Sequence, residues 1–89
     1  MSEPAGVQVT VRYFASLREA LGTGGEQVRT SAATLGALRA ELAARGGAYA
    51  EALAPQKAVR AALNQVMADD ARALVAGAEV AFFPPVTGG

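Results

Sequence analysis

The sequence predicts an α+β fold in which one main helix packs across a mixed β-sheet. Apolar and polar residues alternate from Val7 to Phe14 and again from Glu79 to Phe83, and a period of two is typical of strands that bury one face. Between these strands, leucines over residues 35–42 recur with the spacing of an amphipathic helix. Because the first and last strands are the most apolar, we expect them to lie side by side and parallel at the centre of the sheet.

A short helix is predicted directly after the first strand, from Leu17 to Leu21. Ser16 and Glu19 have capping-box spacing, in which the hydroxyl and the carboxylate each accept a hydrogen bond from an unpaired N–H of the first turn. Gly22 is predicted to end this helix. The following strand, Glu26 to Thr30, alternates apolar and polar positions and is expected to be half exposed.

Thr34 is predicted to cap the main helix, because its side chain can accept a hydrogen bond from the first turn. Leu35, Leu38 and Leu42 fall on one face of this helix, and Gly46-Gly47 is predicted to end it. Polar residues at other positions are interpreted as a solvent-exposed face. These residues are Arg39, Glu41 and Arg45.

The segment after the main helix is predicted to contain a second short helix and a β-hairpin. The stretch from Ala48 to Ala54 suits a helical turn that Pro55 ends. Residues 57–63 then alternate with a period of two, and Asn64-Gln65 is a plausible tight turn into Val66-Met67.

Composition and charge exclude several classes of function. Eight basic and eight acidic side chains give no net charge that would draw the chain to nucleic acid or to an anionic membrane. Cysteine and histidine are absent, which removes thiolate nucleophiles, imidazole acid–base chemistry and the usual zinc ligands. Asp69-Asp70 has no third ligand nearby and is interpreted as a solvated turn, not as a metal site. Glu3 stands where a signal peptide carries basic residues, so we expect a soluble cytoplasmic protein.

The last six residues, 84–89, are predicted to form a functional tail. Pro84 and Pro85 cannot donate to a sheet ladder, so the last strand must stop before them. Gly88 and Gly89 have no side chains and can enter a narrow channel in another protein. Extended residues span about 3.3 Å each, so the tail reaches roughly 20 Å. The carboxylate of Gly89 is therefore the candidate reactive group.

Three stretches resemble the small subunits of molybdopterin synthase, a family of ubiquitin-like β-grasp sulfur carriers. They are Val11 to Gly22, Val59 to Val66, and Glu79 to Gly89. A Gly-Gly end is shared by carriers for thiamine, tRNA thiolation and protein conjugation, whereas the preceding Phe-Phe-Pro-Pro-Val-Thr resembles the molybdopterin branch. The resemblance implies one β-grasp domain over residues 1–89, with short helices beside the main one and residues 84–89 as a flexible tail.

The resemblance also implies a cycle in which this chain carries sulfur and does not itself catalyse. An E1-like enzyme uses ATP to adenylate the carboxylate of Gly89, and a sulfur donor replaces AMP to leave a thiocarboxylate. The large subunit of molybdopterin synthase then uses that sulfur to build the dithiolene of molybdopterin from cyclic pyranopterin monophosphate. The large subunit would supply the catalytic pocket, and no cofactor is expected to bind the small chain.

By the same resemblance, Phe14, Met67 and Phe83 correspond to an apolar patch that contacts both partners, while Val86 and Thr87 guide the tail. From the residues alone, Phe14 and Phe83 fit an ordinary core equally well, because strand ends are often buried. The family pairs two large with two small subunits, so we expect a heterotetramer, and a monomer when this chain is isolated. Two alternatives stay open: a carrier or modifier of another ubiquitin-like pathway, and a binding module with an inert tail.

Overall fold

A computed structural model describes residues 6–85, and these form five strands and three helices. In chain order they are β1 (Val7–Tyr13), α1 (Ala15–Leu21), β2 (Gly25–Thr30), α2 (Leu35–Ala43), α3 (Gly47–Leu53), β3 (Arg60–Leu63), β4 (Val66–Ala68) and β5 (Glu79–Phe83). The predicted elements are present in the predicted order, and α2 is the main helix.

The strands form a mixed sheet with the order β2-β1-β5-β3-β4. β1 and β5 are parallel neighbours, from Thr10 opposite Glu79 to Tyr13 opposite Phe82, and the other pairs are antiparallel. The predicted parallel pairing of the first and last strands is therefore confirmed, and β5 is the central strand.

One face of the sheet and the inner faces of the helices enclose the hydrophobic core. The largest fully buried side chains are Tyr13, Phe82, Leu35, Leu38, Leu42, Leu53, Val9, Val11 and Val80. All three leucines predicted on the inner face of α2 are among them. Full burial of one leucine contributes about 2 kcal/mol to folding, so this repeat is a main reason that α2 lies across the sheet.

The predicted hairpin between β3 and β4 is confirmed. Its turn residues, Asn64 and Gln65, have φ angles of 50° and 70°, the left-handed values that a two-residue hairpin turn of type I′ requires. The Asn64 side-chain oxygen accepts a hydrogen bond from the Glu79 N–H at 2.9 Å, and the Asn64 N–H donates to the Glu79 carbonyl at 2.8 Å. The turn is thereby fixed to the start of β5.

The start of α1 differs from the prediction. β1 ends at Tyr13, and Phe14 is the N-cap residue of α1, with no capping hydrogen bond from its side chain. The predicted capping box is wrong because the helix already begins at Ala15, so Ser16 lies inside the first turn and not at the cap. Gly22 follows α1 as predicted, with a left-handed φ of 74°.

The two ends of α2 follow the prediction more closely. The Thr34 hydroxyl oxygen accepts a hydrogen bond from the Ala37 N–H at 3.1 Å, which confirms Thr34 as the cap. The helix ends at Ala43, shortly before Gly46-Gly47. Of the residues expected at the solvent-exposed face, Glu41 and Arg45 are exposed.

Arg39 is buried, so the expectation that it faces solvent is wrong. Its guanidinium donates a hydrogen bond to the carbonyl oxygen of Leu53 at 2.8 Å. It also donates to the carbonyl oxygens of Ala54 at 2.6 Å and Lys57 at 2.7 Å. The last carbonyls of a helix have no partner within it, and α3 ends at Leu53. Arg39 therefore satisfies the end of α3 and ties it to α2.

Candidate partner-binding face and tail

Phe14 and Phe83 lie together on the face of the sheet that points away from the helices. Tyr13 and Phe82 are paired neighbours and point into the core. Because side chains alternate along a strand, the residues that follow them, Phe14 and Phe83, point to the opposite face. The Phe14 N–H donates a hydrogen bond to the Phe82 carbonyl at 3.1 Å, which keeps the two phenylalanines adjacent.

Met67 reaches the same face from the edge strand β4. It pairs with Ala62, which pairs with Ala81. Ala81 in turn pairs with Arg12, so these four residues form one row across the open face. Phe83 follows Ala81 by two residues and points the same way. We call the apolar residues of this surface the open-face patch: Phe14, Phe83, Ala81, Ala62 and Met67.

Most of the open-face patch is accessible to a partner, although Ala62 is only 7% exposed. Phe14 is 42% exposed and Met67 is 52% exposed, while Phe83 is half-buried. Neither phenylalanine belongs to the buried core cluster, so the alternative that both are ordinary core residues is not supported. Apolar side chains grouped on an open sheet face are typical of a protein-binding surface. The assignment of Phe14, Met67 and Phe83 to partner binding stays a prediction.

The tail begins beside this patch. β5 ends at Phe83, and Pro84 and Pro85 are half-buried and outside any strand, as predicted. The remaining site residues of the tail lie outside the described residues, and their roles stay predictions. These residues are Val86, Thr87, Gly88 and Gly89.

A polar cluster lies beneath the patch, on the helix side of the sheet. The Glu26 carboxylate accepts hydrogen bonds from the hydroxyls of Tyr13 and Tyr49, each at 2.9 Å. Arg45 binds both oxygens of the same carboxylate at 3.0 Å, and its guanidinium lies 4.8 Å from the centre of the Tyr49 ring. We call Tyr13, Glu26, Arg45 and Tyr49 the Glu26 cluster. Through Arg45 and Tyr49, the cluster links the sheet to the segment after α2 and to α3.

The Glu26 cluster shifts the pKa values of its members. Burial by itself would raise the pKa of Glu26, but the hydrogen bonds that its carboxylate accepts outweigh burial and lower that pKa. Burial and the hydrogen bond to Glu26 raise the pKa values of Tyr13 and Tyr49. At neutral pH the cluster therefore holds one carboxylate, one guanidinium and two protonated phenols. It is a charge-balanced structural unit without a free nucleophile.

A groove of about 670 Å³ lies next to the patch, at the edge of the sheet. Arg39, Arg60 and Met67 line it together with Asp69 and Asp70. The Asp69 carboxylate accepts a hydrogen bond from the Ala71 N–H at 3.0 Å, which fits the predicted turn. Within residues 6–85, no three acidic side chains are grouped so that they could hold a metal ion.

Sequence reasoning did not identify the arginines of the open face. Arg12 and Arg60 both lie there, because Arg12 pairs with Ala81 and Arg60 pairs with Phe83. The signal was present in the alternation of β1, which places Arg12 opposite the buried Val11 and Tyr13. The position of Arg60 beside Phe83 required the register between β3 and β5.

No helix of the described chain is both long enough and apolar enough to cross a membrane.

Comparison with known proteins identifies relatives over almost the whole chain. The sequence model of the ThiS family matches residues 11–89. The chain is similar to the molybdopterin synthase sulfur carrier subunit of Escherichia coli, with 43% identity over 91% of this chain and 99% of that protein.

Solved structures agree with this assignment. The chain resembles a structure of subunits 1 and 2 of molybdopterin-converting factor from Helicobacter pylori in complex, with 30% identity and a TM-score of 0.62 over 93% of this chain and 100% of the matched chain. It also resembles SAMP1, a small archaeal modifier protein from Haloferax volcanii, with 26% identity and a TM-score of 0.74 over 92% of this chain and 99% of that one. The predicted ubiquitin-like β-grasp fold is thereby confirmed, and the chain belongs to the ThiS family.

Proposed function

We propose that this chain is the sulfur-carrier subunit of a molybdopterin synthase. The observation that carries the proposal is the 43% identity to the Escherichia coli sulfur carrier subunit, which extends over 91% of this chain. The fold suits the role, because the tail, residues 84–89, starts at the end of the central strand β5 and beside the open-face patch. A partner bound to the patch would receive the tail from a fixed starting point.

The proposed reaction begins at the carboxylate of Gly89. One carboxylate oxygen attacks the α-phosphorus of ATP on an E1-like enzyme, and pyrophosphate leaves. A sulfur donor at the oxidation level of sulfide then attacks the acyl carbon, and AMP leaves, so that Gly89 ends in a thiocarboxylate. Activation is required because a free carboxylate has no good leaving group.

The chain's own residues bind and position, while its partners supply the acid, base and charge stabilisation. This division fits a sequence without cysteine or histidine. The large subunit would use the thiocarboxylate sulfur to build the dithiolene of molybdopterin from cyclic pyranopterin monophosphate. We place the cycle in the cytoplasm, with the isolated carrier a monomer and the synthase a heterotetramer of two large and two small subunits.

Intact-mass spectrometry tests this proposal. The chain is incubated with the E1-like enzyme of the same organism, ATP and sulfide, and its mass should rise by about 16 Da as one oxygen is replaced by sulfur. Fragmentation should locate the sulfur at Gly89. The loaded chain, and not the unloaded one, should then yield molybdopterin from the precursor with the large subunit. An unchanged mass in the presence of an active E1-like enzyme, or sulfur elsewhere in the chain, would contradict the proposal.

A protein modifier is the second candidate, and the similarity to SAMP1 favours it. In that case Gly89 would form isopeptide bonds with lysine side chains of other proteins. Gene deletion separates the two functions. If the deletion strain loses molybdoenzyme activity alone, the sulfur carrier is supported. If its molybdoenzymes are unaffected and the wild-type strain contains Gly89–lysine conjugates, the modifier is supported. Loss of thiamine or of thiolated tRNA would assign the chain to another sulfur pathway.

A further inference from the structure

We infer that the open face of the sheet docks on an acidic surface of the large synthase subunit, where Arg12 and Arg60 pair with carboxylates at opposite corners of the open-face patch. The inference rests on the proposed function and deepens it, because it specifies the chemistry of the partner that receives the tail.

Charge is unevenly divided between the two sides of the sheet, although the chain as a whole is neutral. The strand register places Arg12, Arg29 and Arg60 on the open face, with Glu79 as the one strand acid on that face within residues 6–85. The other acids of the described residues lie on helices, on the core side of β2 or in the loop after β4. They are Glu19, Glu26, Glu41, Glu51, Asp69 and Asp70. The open face is therefore positive.

Arg12 and Arg60 lie at opposite corners of the patch. Arg12 stands on β1 in the row of Ala81, and Arg60 stands on β3 in the adjacent row of Phe83. β5 separates the two strands, and neighbouring strands lie about 4.8 Å apart, so the Cα atoms are on the order of 12 Å apart. An apolar centre with two cationic corners fits a partner surface on which two carboxylates flank an apolar contact.

Both guanidinium groups are available for such pairs. Arg60 is exposed and forms no salt bridge with any residue of the described chain. The Arg12 side chain is 50% exposed, and its contact with Glu79 is long, at 3.9 Å. Exposed pairs of this kind contribute little and exchange readily for a better partner. The Arg12 guanidinium also lies 6.0 Å from the centre of the Phe14 ring, which keeps it beside the patch.

Two acids, Asp69 and Asp70, line the groove together with Arg60. Asp69 accepts a hydrogen bond within its own turn, from Ala71. Asp70 packs against the start of α2, where a Cβ placed on Gly36 would lie only 2.8 Å from the Asp70 Cβ. Neither acid forms a salt bridge with Arg60. The strand register places Arg60 on the open face, beside Phe83.

Binding kinetics with the purified large subunit of the same organism test the inference. Charges at the rim of an interface act mainly on the association rate constant and lose their effect as salt rises. Arg12→Glu and Arg60→Glu should each lower that rate constant by about threefold to tenfold at low salt, and by much less at roughly 0.5 M salt. Arg12→Gln and Arg60→Gln should fall between these variants and the wild type.

Arg72→Glu is the matched control, because it makes the same change of two charge units on an exposed residue. Arg72 belongs to the loop that pairs with the start of α2, since its carbonyl accepts a hydrogen bond from the Leu35 N–H at 3.0 Å. Its substitution should change the association rate by less than about twofold. Equal melting temperatures of all variants verify that the fold is retained.

The outcomes separate this inference from the proposed function. If the wild-type chain binds the large subunit but Arg12→Glu and Arg60→Glu behave like Arg72→Glu, the inference is overturned and the proposed function stands. Faster association of either variant at low salt also overturns it, because the partner surface would then be basic. If the wild-type chain, with sulfur loaded on Gly89, does not bind the large subunit, the proposed function fails and the inference fails with it.

Discussion

Neighbouring residues at the ends of β1 and β5 have opposite surroundings on the two faces of the sheet. Tyr13 and Phe82 are each 1% exposed, and their rings stack with centroids 6.4 Å apart. Phe14 and Phe83, one residue further along each chain segment, lie on the open face. A register shift of one residue would exchange the two pairs. The strand pairing that builds the core therefore also determines which side chains the sheet presents to a partner.

The two faces also differ in how firmly their side chains are held. On the core side, the Glu26 cluster holds Tyr13 in place. The Tyr13 hydroxyl donates a hydrogen bond to the Glu26 carboxylate, which Arg45 and Tyr49 also bind. The open-face patch has no such network, because all five of its side chains are apolar. We therefore expect substitutions on the inner face to change stability and substitutions on the open face to change binding.

The largest effect is expected in the tail, at Gly88. Gly88→Val adds a β-branched side chain to a segment proposed to enter a partner's channel, and small misplacements of reacting groups can cost about 100-fold in rate. Sulfur transfer, measured as molybdopterin formed in a single turnover, should fall by at least that factor. The melting temperature should change by less than about 2 °C, because the last residues of a domain seldom contribute to its stability.

Ala76→Val is the control for this variant, since it places the same β-branched side chain at an exposed position outside the tail. It should leave both the transfer rate and the melting temperature near the wild-type values. Wild-type transfer by the Gly88 variant would show that the end of the chain does not enter a narrow channel.

The next largest effect tests the two faces directly. Phe82→Ala should lower the free energy of unfolding by about 3–5 kcal/mol, because it leaves a cavity beside Tyr13 in the core. Phe83→Ala should cost less than about 1 kcal/mol and should instead weaken binding of the large subunit. Urea unfolding and titration calorimetry measure the two quantities. If Phe82→Ala does not fold, Phe82→Leu provides a milder test, and equal destabilisation at positions 82 and 83 would refute the division between the faces.

A smaller effect is expected at Arg39, which is buried on the helix side of the sheet and binds the carbonyls at the end of α3. Arg39→Met keeps most of the side-chain volume but leaves buried carbonyls, including those of Leu53 and Ala54, without their donor. The free energy of unfolding should fall by about 1–3 kcal/mol, the cost of an unsatisfied buried polar group. Arg18→Met, at an exposed position of α1, should change it by less than about 0.5 kcal/mol. Comparable losses in the two variants would contradict the role given to Arg39.

Local patterns in the sequence were sufficient for much of the fold. The alternation of β1 predicted that Tyr13 points inward, and the apolar character of β1 and β5 predicted their parallel pairing at the centre of the sheet. The tight turn at Asn64-Gln65 was also predicted, because it depends on residues adjacent in sequence. In these cases one short-range periodicity or turn preference decides the outcome.

The error at Arg39 arose because its polarity was given more weight than its spacing. Residue 39 follows Leu35 by four positions and Leu38 by one, so the helical period already placed it on the leucine side of α2. Its charge led to the expectation of a solvent-exposed side chain, yet the free carbonyls after α3 provide polar partners inside. Those carbonyls reach Arg39 only through tertiary packing, which no local pattern reveals.

The same reason explains why the candidate site was predicted only in part. The family resemblance singled out Phe14, Met67 and Phe83, and the residue pattern did not decide whether the two phenylalanines were core or surface. The strand register decides whether they are core or surface. Tyr13 and Phe82 are paired and buried, so Phe14 and Phe83, which follow them, point to the opposite face. The Glu26 cluster was not predicted, because its members come from separate parts of the chain.

The smallest effect concerns the pH dependence of stability, which the Glu26 cluster should control. The folded chain lowers the pKa of Glu26 below its ordinary value of 4.5, so the ionised carboxylate stabilises the fold fully above that pH. This contribution is lost as pH falls through the lower folded pKa. The pKa of Tyr13 is raised above its ordinary value of 10.0, so the protonated phenol stabilises the fold below that pH and loses its contribution as pH rises beyond it.

Glu26→Gln tests both the acid limb and the alkaline limb of this profile, that is, the loss of stability at low pH and at high pH. The amide cannot ionise, so the loss of stability as pH falls below about 4.5 should become shallower than in the wild type. The alkaline limb should be reduced less, because burial, the main cause of the raised pKa of Tyr13, remains in the variant. Urea unfolding from pH 2 to pH 11 measures both limbs. Glu51→Gln makes the same change at an exposed position of α3 and serves as the control. If Glu26→Gln and the wild type lose stability equally at acid pH, the charge of Glu26 does not help to hold Tyr13 on the core side. The contrast between the two faces of the sheet would then rest on apolar burial alone.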